Sequence, residues 1–304
     1  MSRSGEEKPI QTRGEVNTNE IEVTVGGLRL AGWRQVSEQV DKEAKLLFGL
    51  HGWLDNAASF VPLAKSLPSH SWEAFDLSGH GRSDHKTRGA AEYTVVDWAL
   101  EVCLLLESLG GPKRVLVGHS LGAGLAGMVA AFAPERVEAL VCLDGLSPLS
   151  DPPSTLVDRA RTFLAEARAP RTNRLFRTFE SLVAQRAANG DMTLASAQLL
   201  MERARLDVHT PESGVTIRSD VNLKRTSSLR LTDEHLTSVL SRVECPTLLI
   251  DFGGAHFRRS AEAHERLLSS LPNARVVSLP GGHHLHMDAP LQVAPLVEAF
   301  LAGL

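Results

Sequence analysis

The sequence predicts an α/β fold: a mostly parallel sheet, helices on both of its faces, and a helical insertion. Three observations lead there. Short apolar, β-branched runs alternate with segments of helical periodicity from residue 21 onward. That rhythm breaks at residues 146–236, where arginines are frequent and helical patterns dominate, and then resumes. Between these parts, Gly118-His119-Ser120-Leu121-Gly122 stands after an apolar run at 114–117 and before the small, apolar run 123–131, a strand–turn–helix context.

Residues 21–25 and 28–36 flank Gly26-Gly27, which reads as a hairpin with a two-residue turn. Residues 45–50 form a short apolar strand that ends at His51-Gly52-Trp53. Residues 56–67 carry helical spacing in Phe60, Leu63, Ala64 and Leu67, with Asn56 as N-cap. A strand at 71–75 runs into the loop 76–83, whose glycines and polar residues shape the fold rather than react. Residues 94–109 place Val95, Trp98, Ala99, Val102, Leu105, Leu106 and Leu109 on one helical face, and Gly110-Gly111-Pro112 stops the helix. A strand at 137–143 leads to Asp144-Gly145.

Helices are expected at 156–167 and 193–203, with a turn at Pro211-Glu212-Ser213-Gly214. Strands return at 246–251 and 274–279, and a helix at 291–301 closes the chain. The expected organisation is a flexible segment at 1–20, a core from 21–145 and 237–304, and a helical cap at 146–236 placed to roof the site as a lid. Phe163, Leu175, Phe176, Phe179 and Leu182 of the cap either line an acyl site or pack between its helices.

Composition narrows the function classes. A formal charge of −4 over 304 residues, without a basic cluster, argues against nucleic acid as a partner. No apolar run is long enough to span a membrane, and the polar N-terminus does not read as a signal peptide. Three scattered cysteines, Cys103, Cys142 and Cys245, make neither a disulfide framework nor a zinc spacing, which points to inert core thiols in the cytoplasm.

The central pentapeptide reads G-x-S-x-G, and a sharp turn there would push the Ser120 hydroxyl clear of the backbone. The small neighbours suit such a turn because it leaves little room for Cβ atoms. A serine hydroxyl needs a base to become a nucleophile near neutral pH. Late in the chain, His283, His284 and His286 offer one, and His283 directly follows Gly281-Gly282 after the last strand. His284 and His286 read as residues that orient the loop rather than as metal ligands, and neither a metal nor a cofactor is expected.

These motifs, in this order, resemble the α/β-hydrolase family of the Ser-His-acid type. His51-Gly52-Trp53-Leu54-Asp55-Asn56-Ala57-Ala58-Ser59-Phe60 and Leu279-Pro280-Gly281-Gly282-His283-His284-Leu285-His286-Met287 resemble its serine hydrolase-like branch. The resemblance implies the α/β-hydrolase fold, with Ser120 as nucleophile and His283 as base. Many relatives carry the acid in a Gly-x-x-Asp pattern after the strand that follows the insertion. Here that stretch reads Asp251-Phe252-Gly253-Gly254-Ala255, with alanine where the acid would stand, and Asp251 comes early. The resemblance therefore places the acid at Asp144, next to the elbow strand, with Asp251 as the alternative. An oxyanion needs preorganised N–H groups, expected from Leu121, after the nucleophile, and from Trp53, after His51-Gly52. Trp53, His51 and His119 are expected to line the pocket, with core packing as the other reading of the Trp53 ring.

Two classes of function fit. One is a cofactor-free hydrolase that cleaves an ester or similar acyl bond of a small substrate through an acyl-enzyme, with C–C bond hydrolysis or a lyase reaction as variants of the same site. The other is a non-catalytic ligand-binding protein on the same scaffold. Oligomeric state is not written in the sequence.

Overall fold

The computed structural model describes residues 19–37, 44–86, 92–209, 213–253 and 260–304. Of the expected flexible segment, residues 1–18 lie outside the described residues, as do Pro211 and Glu212 of the expected turn and Gly254 and Ala255 after the late strand. Asn19 and Glu20 open the first strand.

Eight strands form one sheet. They are β1 (Asn19–Val25), β2 (Leu28–Gln35), β3 (Leu46–Leu50), β4 (Ser71–Phe75), β5 (Arg114–His119), β6 (Val137–Leu143), β9 (Thr247–Asp251) and β10 (Ala274–Ser278), in the order β1-β2-β4-β3-β5-β6-β9-β10. β2 is antiparallel to β1 and to β4, and every other pairing is parallel. β5 and β6 therefore lie near the middle, and their buried residues divide between the two faces with period two. Val115 and Val117 join one core with Leu47, Val141, Leu248 and Ile250, whereas Leu116 joins the other with Phe48, Leu140, Cys142 and Leu249.

Helices cover both faces. On the first face lie α1 (Val61–Ser66) and α10 (Pro290–Leu301), which contribute Leu63, Val293 and Val297. On the second lie α2 (Val95–Leu109), α3 (Leu121–Phe132), α7 (Asp233–Leu240) and α8 (Ala261–Ser269). The expected face of α2 is largely met: Trp98, Ala99, Val102, Leu105 and Leu106 are buried, Thr94 caps the start, and Gly110 ends the helix at φ 60°. Asn56 likewise caps, by accepting from Ala58 N, although the first turn after it is 3-10. The remaining short helix, α9 (Leu285–Asp288), follows the histidine-rich loop.

Between β6 and α7 stand α4 (Leu156–Arg168), α5 (Phe179–Gly190), α6 (Leu194–Ala204) and a two-stranded pair, β7 (Arg205–Val208) with β8 (Gly214–Ile217). The strand pair is absent from the sequence reading, because Arg205-Leu206-Asp207-Val208 is polar and exposed and shows no core-facing alternation. Leu182, Val183, Leu200, Met201 and Val215 form a third, smaller core here, joined by Met287. Helix α7 crosses residue 236, the expected edge of the insertion, and buries Leu236 and Leu240 in the core beside α3.

One buried ion pair ties this segment to the sheet. Asp76, fully buried at the end of β4, accepts from Ala57 N at 2.7 Å, from Arg82 N at 2.7 Å and from Arg203 Nε at 2.8 Å. Removing one partner of such a pair leaves an uncompensated buried charge. Arg203→Met is therefore expected to destabilise the protein by about 3–5 kcal/mol in urea unfolding. A loss below about 1 kcal/mol would mean that the backbone donors alone satisfy Asp76.

The three cysteines are free. Burial pushes the thiol of Cys142 up to about 12 and those of Cys103 and Cys245 to about 11, so none is a thiolate near neutral pH. Among the described residues, no helix is long and apolar enough to cross a membrane.

Candidate active site

β5 ends at His119 and α3 begins at Leu121, so Ser120 alone makes the turn between them, at φ 52° and ψ −113°. A non-glycine residue held there carries strain of about 1–3 kcal/mol, and the surroundings must hold it. They do so through Ser120 N, which donates to Leu143 O at 3.0 Å, and through the start of α3, where Ala123 N donates to Ser120 O at 3.1 Å. The flanking glycines are sterically required. A Cβ on Gly122 would lie 1.8 Å from Leu50 O, and one on Gly118 would lie 2.4 Å from Gly122 O.

Asp144 follows β6 directly, with φ 48° and 1% exposure. Its backbone N donates to Ile250 O at 2.9 Å, and its Oδ1 accepts from Phe252 N at 3.0 Å. Its Oδ2 meets His283 Nδ1 at 2.5 Å. With Nδ1 so engaged, the Nε2 of His283 is left for chemistry, and the ring remains partly exposed. The loop that carries His283 is pinned by Gly281 N to Phe252 O at 3.0 Å and by His119 Nε2, which donates to His283 O at 2.8 Å. Asp251, the alternative acid, closes its own turn instead, with Oδ1 accepting from Gly253 N at 2.8 Å.

Ser120, His283 and Asp144 line one cavity of about 1040 Å³, together with Trp53, His119 and Leu121. The Trp53 indole is half exposed and donates to Leu223 O at 3.1 Å. His51 does not line this cavity, contrary to the sequence expectation. It is fully buried, its Nε2 accepts from Leu77 N at 3.0 Å and its Nδ1 donates to Gly52 O at 2.8 Å, so it braces two loops. Burial also pushes its imidazole below the ordinary range, against the pull of Asp76. Of the five apolar residues at issue between β6 and β9, Phe176 and Leu182 reach the cavity and Phe163, Leu175 and Phe179 do not.

The family model for the alpha/beta hydrolase fold matches residues 45–290. The chain belongs to this family. A serine hydrolase-like protein of Dictyostelium discoideum is 30% identical over 261 residues, which cover 81% of this chain and 72% of that one. The probable serine hydrolase of Drosophila melanogaster is 28% identical over 97% of this chain and 91% of its own. Among solved structures, a hypothetical protein of Pseudomonas aeruginosa PAO1 superposes with a TM-score of 0.83 at 33% identity, covering 93% of this chain and 99% of that one.

This α/β hydrolase carries one feature the sequence reading missed. Asp55, 3% exposed, lies against the histidine-rich loop through His284, and its Oδ1 is paired with Arg186 from α5. Its Oδ2 lies 3.5 Å from His119 Nδ1 and 3.3 Å from His284 Nε2. Burial pushes the Asp55 carboxyl up, yet the group, with the Arg186 guanidinium beside it, is held well below the usual carboxylate range. Burial likewise pushes His119 down to about 4, despite the Asp55 charge. His286 is fully buried, shares a 2.7 Å hydrogen bond with Ser59 Oγ and is also driven well below its ordinary value, first by burial and then by His119 and His284. Asp55 stands inside the quoted motif, but nothing local in that motif marks it, because its partners, His119, Arg186 and His284, lie far away in the chain.

Proposed function

We propose that this protein hydrolyses an ester or similar acyl bond of a small substrate through an acyl-enzyme. Ser120 attacks the carbonyl, His283 takes its proton and returns it to the leaving group, and Asp144 holds the imidazole in the productive tautomer. The backbone N–H groups of Trp53 and Leu121 hold the oxyanion, and water completes the cycle. The observation that carries this reading is the contact of His283 Nδ1 with Asp144 Oδ2 beside a strained, cavity-lining Ser120. None of these steps needs a cofactor. The segment 146–236 acts as a lid, since Phe176, Leu182, Arg186 and Leu223 reach the cavity from it. Three free thiols fit a reducing compartment such as the cytoplasm.

Cavity charge refines the substrate class. Lys224 and Arg225 line the cavity without a carboxylate partner among the described residues, and Arg225 Nε is buried without a hydrogen bond. A buried donor without an acceptor favours a substrate that brings one. The acyl substrate therefore carries an anionic group.

A small alkyl fluorophosphonate is expected to add once to the folded protein, on Ser120, by intact mass and peptide mapping. The same preparation is expected to hydrolyse a p-nitrophenyl hemisuccinate ester about tenfold faster in kcat/KM than the uncharged butyrate. Absence of an adduct would overturn the hydrolase reading and leave a ligand-binding role. Equal rates on the two esters would overturn only the anionic preference.

A further inference from the structure

Next to the proposed base, the loop after β3, the end of β5 and the histidine-rich loop bring three donor atoms together. Asp55 lies three residues beyond Gly52, His119 ends β5 and His284 follows His283. His119 Nδ1, His284 Nε2 and a carboxylate oxygen of Asp55 all lie within 4.8 Å of one another. The three residues are 1%, 4% and 3% exposed.

Hydrogen bonds on the far side of each ring decide which nitrogen is free. His119 Nε2 faces His283 O at 2.8 Å, and His284 Nδ1 faces Gly190 O at 3.0 Å. A carbonyl oxygen only accepts, so each of these nitrogens carries the proton, and a neutral imidazole has only one to give. In the neutral form of each ring, the opposite nitrogens, His119 Nδ1 and His284 Nε2, turn lone pairs toward Asp55 Oδ2. His119 Nδ1 is buried and has no hydrogen-bond partner. Rings oriented by a carbonyl on one nitrogen and left open on the other match the outer-shell arrangement of metal-binding histidines.

The distances point the same way. The separations of 3.5 Å and 3.3 Å from Asp55 Oδ2 exceed the ordinary N–H···O range of about 2.7–3.2 Å. They match the ligand–ligand edge of a tetrahedral site, about 3.3–3.4 Å for metal–ligand bonds of about 2.0–2.1 Å. Arg186 occupies the other carboxylate oxygen, which leaves Asp55 to bind through Oδ2 alone.

We propose that Asp55 Oδ2, His119 Nδ1 and His284 Nε2 bind a divalent transition-metal ion, with zinc the ion best matched by two imidazoles and a carboxylate. All three residues line the main cavity, so the fourth position opens toward it. The ion joins the loop after β3, the elbow and the base loop, and so fixes the backbone on which His283 rides. It takes no part in the proposed acyl transfer, and the site stands or falls apart from that reading.

The test uses the full chain, stripped with a chelator and titrated with Co²⁺, whose visible absorption reports tetrahedral nitrogen and oxygen ligation. One Co²⁺ per chain with a tetrahedral spectrum is expected, displaced by Zn²⁺, and Zn²⁺ is expected to raise the Tm. Asp55→Asn and His284→Gln are each expected to weaken binding about 100-fold or more, while His283→Ala retains the ion. Failure of the folded wild type to bind stoichiometrically overturns the site, and that titration decides the matter even if a variant does not fold. Binding unchanged in both ligand variants, or lost in His283→Ala alone, also overturns it, because the ion would then sit elsewhere.

Discussion

Ser120→Ala is expected to lower kcat for ester hydrolysis by roughly 10⁶-fold and to abolish fluorophosphonate labelling. The loss is chemical rather than structural. Alanine at φ 52° carries the same backbone strain as serine, and no side-chain hydrogen bond caps α3 from this position. Urea unfolding of the variant should therefore match wild type. Ser120→Gly separates the two effects further. It removes the hydroxyl equally, but should gain about 1 kcal/mol because glycine tolerates positive φ. Residual hydrolysis within about 100-fold of wild type in Ser120→Ala would assign the nucleophile elsewhere.

Asp144→Asn is expected to cost about 10⁴-fold in kcat. The amide oxygen can still accept from Phe252 N, so the loop after β9 keeps its anchor. The amide nitrogen, however, faces His283 Nδ1 and donates to it, which leaves the proton on Nε2 and removes the base from Ser120. Asp251→Asn should leave kcat within about twofold, since its Oδ1 closes a local turn with Gly253 N and an amide oxygen can do the same. Equal, large losses in both variants would dissolve the distinction between the two acids. Both effects are read from steady-state kinetics on the hemisuccinate ester, with burst amplitudes to count competent sites.

Most of the sheet was legible because buried parallel strands are short apolar runs bounded by glycine and polar turns. Val115-Leu116-Val117 and Leu248-Leu249-Ile250 show this directly. Helix α2 was legible for a different reason, one apolar face and a glycine stop. The pair β7 and β8 was not, since both strands are four residues long and β7 is largely exposed. His51 shows the limit for side chains. Its neighbours in the chain, Gly52 and Trp53, line the cavity, yet its own ring turns into the core to serve Leu77 N.

By itself the sequence determined the strand–turn–helix around Ser120, because an apolar strand run, a G-x-S-x-G turn and a small apolar helix follow one another there, and Gly118 answers a steric demand of that turn itself. It also determined the order of the core elements, through hydrophobic periods that each segment carries alone. Only the tertiary structure decided which carboxylate meets His283, which histidines face Asp55, and which residues reach the cavity. Those contacts join positions far apart in the chain and depend on side-chain directions a few ångströms long. Such directions follow from how β6, β9 and their loops pack together rather than from any pattern within one segment.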